Sequence, residues 1–224
     1  MLRVVKLGGS LCDSPWLPGW LEALVRAGGR VVLVPGGGPF ADAVRTAQTR
    51  CRFSDAVAHR LGLLAMEQYG LMLCGMEPEL VPASNPQTIT HAIACGRTPV
   101  WLPSAMCVGA PDIPEDWTVT SDSLSAWLAH HIGAEGLALV KHGQAETREA
   151  WALAAAGRVD TAFPSFAARY AKPIRILSHS EPASLDAWLA HAMRSAPLTL
   201  ASCMPAPGAQ AADRDDSPPH CRLP

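Results

Sequence analysis

The sequence Val-Val-Lys-Leu-Gly-Gly-Ser at residues 4–10 places a lysine near the end of a short apolar run and follows it with two glycines. A β-strand of this composition would carry the Lys6 ammonium to the edge of a sheet. Paired glycines have no Cβ atoms, so their backbone N–H groups can approach a polyanion at the mouth of a following helix. The segment suits a phosphate site, although a solvated strand end has the same pattern.

Two further segments repeat this kind of junction between a strand and a helix. A strand predicted at 30–34 runs into Pro-Gly-Gly-Gly-Pro at 35–39, and the segment Trp-Thr-Val-Thr-Ser-Asp-Ser at 117–123 opens a helix with an acid. In an open parallel sheet, ligands bind beyond the carboxyl ends of the strands. The three junctions together predict a phosphate-handling cleft along one edge of a sheet.

Composition and charge limit the possible folds and partners. The chain has 224 residues, 49% of them hydrophobic, and can bury one sizeable core. Its net charge is −2 and no run of Lys and Arg is longer than two residues, which argues against nucleic acid or an anionic membrane as partner. No apolar run reaches the roughly 18 residues of a spanning helix, and no export signal is recognised. We expect a cytoplasmic protein.

The cysteines and the C-terminal residues give no sign of a metal site. The seven cysteines are scattered without a Cys-x-x-Cys pair, which is typical of reduced thiols. His220 and Cys221 are adjacent in a segment, 205–224, that is rich in Pro, Ala and charge, and they would make a poor metal site. We predict no metal site built from side chains, one domain over 1–204, and a disordered tail over 205–224.

Strand and helix patterns alternate along the chain, which indicates an α/β fold with a mostly parallel sheet. Strands are predicted at 2–7, 30–34, 79–82, 98–102, 136–140 and 173–178, with a last strand at 198–202. Helices are predicted at 16–27, from Pro39 onward, and at 54–73, 86–95, 122–134, 146–156 and 183–194.

The longest of these helices, capped by Ser54 and Asp55, carries apolar residues on more than one face. Val57 and Leu64 share one face, and Leu63 lies on another. A helix that is apolar on several faces is typical of one buried between other elements. We therefore predict that both faces of this helix are covered.

Two well-known phosphate motifs match these glycines poorly. The P-loop string, Gly-x-x-x-x-Gly-Lys followed by Ser or Thr, does not occur. Residues 36–41 satisfy the dinucleotide fingerprint Gly-x-Gly-x-x-Ala, but that motif requires an acid at the end of the next strand. The available acid, Asp55, lies at a helix start. A dinucleotide site stays as an alternative, and it would leave Lys6 without a role.

Four segments, at residues 5–11, 34–42, 120–129 and 137–141, resemble the amino acid kinase superfamily, and the resemblance extends over about residues 3–180. The superfamily includes acetylglutamate, aspartate, glutamate 5- and uridylate kinases. The resemblance implies a three-layer αβα sandwich with an open sheet. It also implies that the N-terminal half binds the phosphoryl acceptor and the C-terminal half binds ATP, with Mg²⁺ held mainly by the phosphates.

Other segments resemble one branch of this superfamily. They are the helix segment from Ser54 to Tyr69, which includes His59, the Trp-Leu-Pro at 101–103, and residues 117–123. That archaeal and methylotroph branch phosphorylates an aminomethylfuran phosphate to its diphosphate in methanofuran biosynthesis. The resemblance implies a small-molecule substrate and a homo-oligomer. A carboxylate or nucleoside monophosphate acceptor stays open, as does a non-catalytic protein that binds nucleotides or oxyanions.

Three charged residues form the predicted catalytic group. Phosphoryl transfer through a loose, in-line transition state needs positioning and positive charge around the migrating group. Lys6 and Lys141, each at the end of an apolar strand, are predicted to supply this charge. Asp122, at a helix start, is predicted to orient both lysines by ion pairing; as alternatives, it is an ordinary N-terminal helix acid and Lys141 an ordinary strand end.

The binding residues are predicted from the same junctions. Nucleotide contacts are assigned to Gly8, Gly9, Ser10 and Lys141. Acceptor contacts are assigned to a backbone nest at Gly36, Gly37 and Gly38, and to His59 and Ser121. His59 also fits a packing histidine of the core. No general base is apparent. A phosphate monoester needs none, because its second pKa is about 6 and it is already ionised at neutral pH.

The chain departs from larger members of the superfamily after Lys141. Many of them have a Thr-Asp and a Gly-Val turn beneath the adenine, whereas residues 141–144 are Lys-His-Gly-Gln. The resemblance therefore leaves the nucleotide-base contacts open. Asp160 follows Val159 as it does in the family, and we assign it no role.

Overall fold

Six strands form one sheet in the computed structural model, which describes residues 1–143 and 149–190. The strands are β1 (Arg3–Leu7), β2 (Val31–Pro35), β3 (Leu80–Ala83), β4 (Thr98–Trp101), β5 (Leu137–Lys141) and β6 (Ile174–Ser178). The sheet order is β3-β4-β2-β1-β5-β6, and every pairing among the described residues is parallel. Each strand lies within one residue of its predicted bounds.

Helices connect the strands and cover the sheet. They are α1 (Leu17–Arg26), α2 (Gly38–Cys51), α3 (Asp55–Met76), α4 (Pro86–Ala94), α5 (Ser104–Cys107), α6 (Ser121–His131), α7 (Ala150–Ala155), α8 (Phe163–Tyr170) and α9 (Ala183–Ala190), with a short 3₁₀ turn at Gly9–Leu11. None of the helices in the described part of the chain is both long and apolar enough to cross a membrane.

Alternate residues of β1 enter two separate cores. Val4 packs in a core with Phe163 of α8, and Val5 packs in another with Trp20 of α1. Successive side chains of a strand point to opposite faces, so helices cover both faces of the sheet. The predicted three-layer αβα sandwich is confirmed. The same alternation places Lys6 on the face of Val4, toward α6.

Some predicted elements differ from the structure. Helices α5 and α8 were not predicted; α5 has only four residues, too few to display a helical period. Helix α6 ends at His131 rather than at 134, and Gly133 follows with a φ of 65°. Parts of the helices predicted at 146–156 and 183–194 lie outside the described residues. The last strand at 198–202 and the tail at 205–224 also lie outside them.

Helix α3 is covered on one face rather than two. The Ser54 hydroxyl caps it by accepting from the Val57 N–H at 3.4 Å. Leu63 is 1% exposed against the sheet, whereas Val57 and Leu64 are each 45% exposed. The prediction of coverage on both faces is wrong for the described chain, because α3 contacts α2 and the sheet from one side and the described residues leave the other side open.

Candidate active site

Two lysines from adjacent strands meet one carboxylate at the start of α6. The Lys6 Nζ lies 2.9 Å from Asp122 Oδ1, and the Lys141 Nζ lies 2.6 Å from Asp122 Oδ2. The Lys6 and Asp122 side chains are 6% exposed and that of Lys141 is 16% exposed. These contacts arise because β1 and β5 are neighbours in the sheet and α6 packs over them. The structure thus contains the ion pairing that the sequence predicted for these three residues.

The protonation of this cluster follows from burial and charge. Burial would raise the pKa of Asp122, but Lys6 and Lys141 outweigh this effect and hold the pKa below its ordinary value. Burial lowers the pKa of Lys141 to about 8, and the Lys6 ammonium adds to this effect against the attraction of Asp122. Two ammonium groups and one carboxylate leave a net positive charge on this poorly solvated cluster of three, before the nearby Asp160 carboxyl is counted. Such a site favours an anion.

Asp160 holds the start of α6 in place. Its Oδ2 accepts from the Thr120 N–H at 2.9 Å, the Thr120 hydroxyl at 2.8 Å and the Ser123 N–H at 3.0 Å, and its Oδ1 accepts from the Ser123 hydroxyl. Thr120 occupies the N-cap position without a capping bond from its own side chain. Asp160 therefore supplies the cap from a distant part of the chain, and so fixes the backbone that carries Asp122.

Burial raises the pKa of Asp160, and the nearby Asp122 carboxylate acts in the same direction, while the bonds from Ser123 and Thr120 oppose them. Asp160 was noted in the sequence beside Val159 but was assigned no role. Asp160 lies 37 residues from Ser123 along the chain. No local pattern links an acid in one loop to a helix start that far away, so only the packing of the loop against α6 shows its role.

The two glycine-rich turns touch each other. A Cβ on Gly9 would lie 2.2 Å from the Gly38 backbone nitrogen, and one on Gly36 would lie 2.3 Å from the Gly9 nitrogen. The Gly36 N–H donates to the Leu7 carbonyl at 2.8 Å, so it is engaged within the protein and is not the free donor predicted for the acceptor nest. Contact between the turns thus requires glycine at positions 9 and 36.

Gly37 and Gly38 are the members of the predicted nest that face a cavity. Gly38 has a φ of 54°, a conformation that favours glycine, and a Cβ on Gly37 would lie 2.3 Å from the Ala41 Cβ. These residues form the start of the 14-residue helix α2. The first N–H groups of a helix have no partner within it and carry a partial positive charge. They can hold an anionic group of a ligand.

The cavity has a volume of about 350 Å³. The predicted site residues that line it are Gly9, Ser10, Gly37, Gly38, His59 and Ser121. The remaining predicted residues, Lys6, Gly8, Gly36, Asp122 and Lys141, do not line it. They lie beside it, joined to its wall through the bonds Gly8–Gly9 and Ser121–Asp122, and a Cβ on Gly8 would lie 3.8 Å from the Lys6 Nζ.

His59 has features of both roles predicted for it, an acceptor contact and a packing histidine of the core. It is 5% exposed, and its Nδ1 lies 3.3 Å from the Asp116 carbonyl oxygen, to which it can donate. Its Nε2 is buried and has no hydrogen-bond partner among the described residues. A buried polar atom without a partner is costly. Since His59 also lines the cavity, a bound acceptor is a candidate partner for this nitrogen.

A charged and aromatic wall closes one side of the cavity. The Arg45 guanidinium lies 4.8 Å from the centre of the Trp117 ring and 2.8 Å from Asp42. The Trp117 Nε1 donates to Gln48 Oε1 at 2.6 Å. Asp13 lines the same cavity. Sequence reasoning missed Asp13, Asp42 and Arg45 as site residues, because charged residues on a turn and on a surface helix carry no pattern that separates them from ordinary solvated ones.

No group of three or more His, Cys, Asp and Glu side chains within residues 1–143 and 149–190 is placed to hold a metal ion. Each oxygen of Asp122 faces a lysine. The groups beside the glycine turns that can donate to a ligand are therefore the Lys6 and Lys141 ammonium groups, which suit phosphate groups. A magnesium ion that accompanies a nucleotide would be held mainly by the nucleotide's own phosphates.

The comparison with protein families identifies the family of this chain. The model of the amino acid kinase family matches residues 1–143. This range contains the glycine turns, the start of α6 and all three charged residues of the cluster. The chain belongs to the amino acid kinase family.

Three named proteins are similar to this chain at 16–27% sequence identity. A (5-(aminomethyl)furan-3-yl)methyl phosphate kinase of Methanocaldococcus jannaschii is 27% identical over 130 residues, which cover 57% of this chain and 59% of that protein's length. A uridylate kinase from Archaeoglobus fulgidus superposes with a TM-score of 0.61 at 16% identity, over 86% of this chain and 97% of its own. A UMP kinase from Bacillus anthracis superposes with a TM-score of 0.62 at 17% identity, over 84% of this chain and 92% of its own. These two structures share the fold.

Proposed function

We propose that this protein is a small-molecule kinase that transfers a phosphoryl group from MgATP to a phosphate monoester. The observation that carries the proposal is the buried cluster of Lys6, Asp122 and Lys141 beside two glycine turns. Its net positive charge is placed where phosphate oxygens would gather. Phosphoryl transfer requires this kind of fixed positive charge more than it requires acid–base chemistry.

Each member of the cluster has a distinct task in this proposal. Lys6, the less exposed of the two lysines, would bind the oxygens of the migrating phosphoryl group, and Lys141 those of the nucleotide. Asp122 keeps both ammonium groups aimed at the turns. With its pKa below the ordinary value and both oxygens paired, Asp122 is poorly suited to accept a proton. MgATP supplies the phosphoryl group and the metal that offsets the charge of its phosphates.

The proposed acceptor needs no general base from the protein. A phosphate monoester is mostly dianionic at neutral pH, because its second pKa is about 6. The start of α2 at Gly37 and Gly38 would hold this dianion. His59, with a buried unpartnered Nε2, and the Trp117 ring would contact the rest of the acceptor.

For the acceptor itself we propose an aminomethylfuran phosphate, converted to its diphosphate in the biosynthesis of a methanofuran-type cofactor. The similarity to the M. jannaschii kinase supports this choice. The cavity lining supports it chemically, since the Trp117 ring would pack against a furan and the Asp13 carboxylate would bind an amine. We also propose a cytoplasmic location, one domain over residues 1–204 and a disordered tail over 205–224. Deleting the tail should leave the melting temperature and turnover unchanged.

The assay measures ADP release by the purified full chain with MgATP and three acceptor panels: the furan phosphate, amino acids and nucleoside monophosphates. Saturable turnover with the furan phosphate supports the proposal. Turnover with amino acids or nucleoside monophosphates instead would show a kinase with a different acceptor. Tight ATP binding without turnover on any panel would favour a non-catalytic binding protein of the same fold.

A further inference from the structure

A second cleft, the α6–α8 cleft, lies at the C-terminal end of α6, where α8 packs against this helix. It has a volume of about 330 Å³ and is lined by Asp112, Trp127, His130, His131, Phe166 and Arg169. The cavity beside the glycine turns has a different lining. Small-molecule sites in proteins are clefts of about 300–1,000 Å³, lined mainly by apolar and aromatic groups with a few polar ones. The α6–α8 cleft has both this size and this kind of lining.

Flat side chains form much of the cleft wall. Trp127 and Phe166 are 5% and 3% exposed. His131, one turn after Trp127 on α6, stacks on its indole with the ring centres 3.7 Å apart. The Arg169 guanidinium carbon lies 4.2 Å from the centre of the Phe166 ring. Aromatic rings and guanidinium planes stack on further rings, so this wall suits a ligand with a flat, aromatic body.

Two opposite charges line the same cleft. Arg169 Nη1 lies 3.5 Å from Asp112 Oδ2, which is longer than the usual hydrogen bond of about 2.7–3.2 Å. That oxygen accepts instead from the Trp127 Nε1 at 2.8 Å. Neither Asp112 Oδ1 nor Arg169 Nη2 has a hydrogen-bond partner within the described part of the chain. A donor for an anion and an acceptor for an ammonium are therefore both open to a ligand.

His131 adds a second acceptor to the cleft. Its Nδ1 lies 3.1 Å from the Trp127 carbonyl oxygen, to which it can donate. In the neutral imidazole, donation from Nδ1 leaves Nε2 as an acceptor. An ammonium group in the cleft can thus donate to both Asp112 and His131.

We infer that the α6–α8 cleft binds a small aromatic ligand that carries both an ammonium and an anionic group. The Arg169 guanidinium binds the anionic group, Asp112 and His131 bind the ammonium, and the ring of the ligand stacks on the flat wall. A ligand with only an anionic group would meet the Asp112 carboxylate, and one with only an ammonium would meet Arg169. Charge complementarity therefore favours a ligand that carries both. An aromatic amino acid and an aromatic amine with a phosphate share this chemistry.

The cleft shares two structural elements with the cavity beside the glycine turns. Helix α6 gives Leu124 to that cavity and Trp127 to the cleft. The segment 112–117 begins at Asp112, in the cleft, and ends at Trp117, in the cavity. A ligand held by Asp112 would therefore fix a segment that also forms the cavity wall. The inference does not depend on the proposed kinase activity, because it rests on the lining of the cleft alone.

Isothermal titration calorimetry of the full chain, without nucleotide, tests the ligand class. The probes are L-phenylalanine, which carries a carboxylate, and O-phosphotyramine, which carries a phosphate. We expect saturable binding of at least one of them with a Kd below about 1 mM, and the tighter one identifies the anionic group. Phenethylamine and 3-phenylpropionate, each with a single charge, should bind at least about 10-fold more weakly. No saturable binding of either probe, or equal binding of a singly charged analogue, would overturn the inference.

Substitutions in the cleft test where the probe binds. Arg169→Gln should weaken its binding at least about 10-fold, because a hydrogen bond to a charged group is lost. Asp112→Asn should weaken the probe but not 3-phenylpropionate, since the amide oxygen can still accept from Trp127.

Two arginines elsewhere serve as comparisons for Arg169→Gln. Arg26→Gln is the matched control, because Arg26 forms a similarly exposed surface pair with Asp186 at 2.9 Å. It should keep wild-type affinity for the probe. Arg45→Gln changes the lining of the cavity beside the glycine turns. A probe that loses affinity with Arg45→Gln but not with Arg169→Gln would occupy that cavity, which would contradict the assignment to the α6–α8 cleft.

Discussion

Replacing Lys6 by alanine removes one of the two positive charges from the buried cluster. Two unit charges about 4 Å apart interact by about 4 kcal/mol at an effective dielectric constant near 20. Loss of one fixed donor of this kind in an active site typically lowers turnover by about 10²–10³-fold. We therefore expect Lys6→Ala to lower kcat by at least about 10²-fold with the acceptor that the wild type uses. Folding should be retained, because Asp122 keeps its 2.6 Å pair with Lys141.

The same variant should change the pH dependence in a defined direction. Lys6 is one of the causes that lower the pKa of Lys141 to about 8. Without Lys6, the pKa of Lys141 should rise. If the charged form of Lys141 is needed for nucleotide binding, the alkaline decline in kcat/KM should move to higher pH in the variant even as its plateau falls.

The measurement is a pH–rate profile by coupled ADP detection, with circular dichroism to verify folding. Lys172→Ala is the matched control, since that lysine bonds to the Gly133 and Ala134 carbonyls away from the cluster. It should keep wild-type kinetics. A Lys6→Ala protein with kcat/KM within about threefold of wild type would refute the assignment of charge stabilisation to Lys6.

Three further outcomes follow from the site. In the wild type, kcat/KM should decline as pH rises through about 8, because Lys141 is cationic below its pKa and neutral above it. A pH profile of kcat/KM that stays flat from about pH 7 to 9.5 would exclude Lys141 as an essential cation. Asp160→Asn should lower the melting temperature by about 5–10 °C, because an amide cannot accept all the hydrogen bonds that end at this carboxylate. Each unsatisfied group costs about 1–3 kcal/mol. Calorimetry that shows no change in melting temperature would leave the cap without a structural role. Gly9→Ala should lower the free energy of unfolding in urea by about 1–3 kcal/mol, because the added Cβ clashes with the facing turn. Gly75→Ala should not, because a Cβ at Gly75 would have nothing within 4 Å. Equal stability of the two variants would be inconsistent with the observed contact.

Much of the fold was predictable from local patterns. All six strands were placed to within one residue, because each is a short apolar run bounded by glycine, proline or polar residues. The parallel arrangement followed from their alternation with helices. Lys6 and Lys141 could be grouped with Asp122 because strand ends and helix starts in such a fold meet at one edge of the sheet.

Other features depended on which surfaces meet. Asp160 reaches the start of α6 from a loop 37 residues further along the chain, and no local pattern encodes that contact. Glycine is required at positions 9 and 36 because two turns pack against each other, although the sequence suggested an open approach for phosphate. The outer face of α3 looked like a core face because Val57 and Leu64 are apolar.

The sequence by itself determined the strands, the order of the phosphate-type junctions and the lysines at strand ends. Those signals lie within a few consecutive residues and reflect local backbone preferences and the alternation of apolar side chains. Only the tertiary structure decided which carboxylate caps α6, which glycines are needed for packing and which apolar face stays exposed. These features arise from contacts between segments distant in the chain, and such contacts form only when the sheet and its helices are packed together.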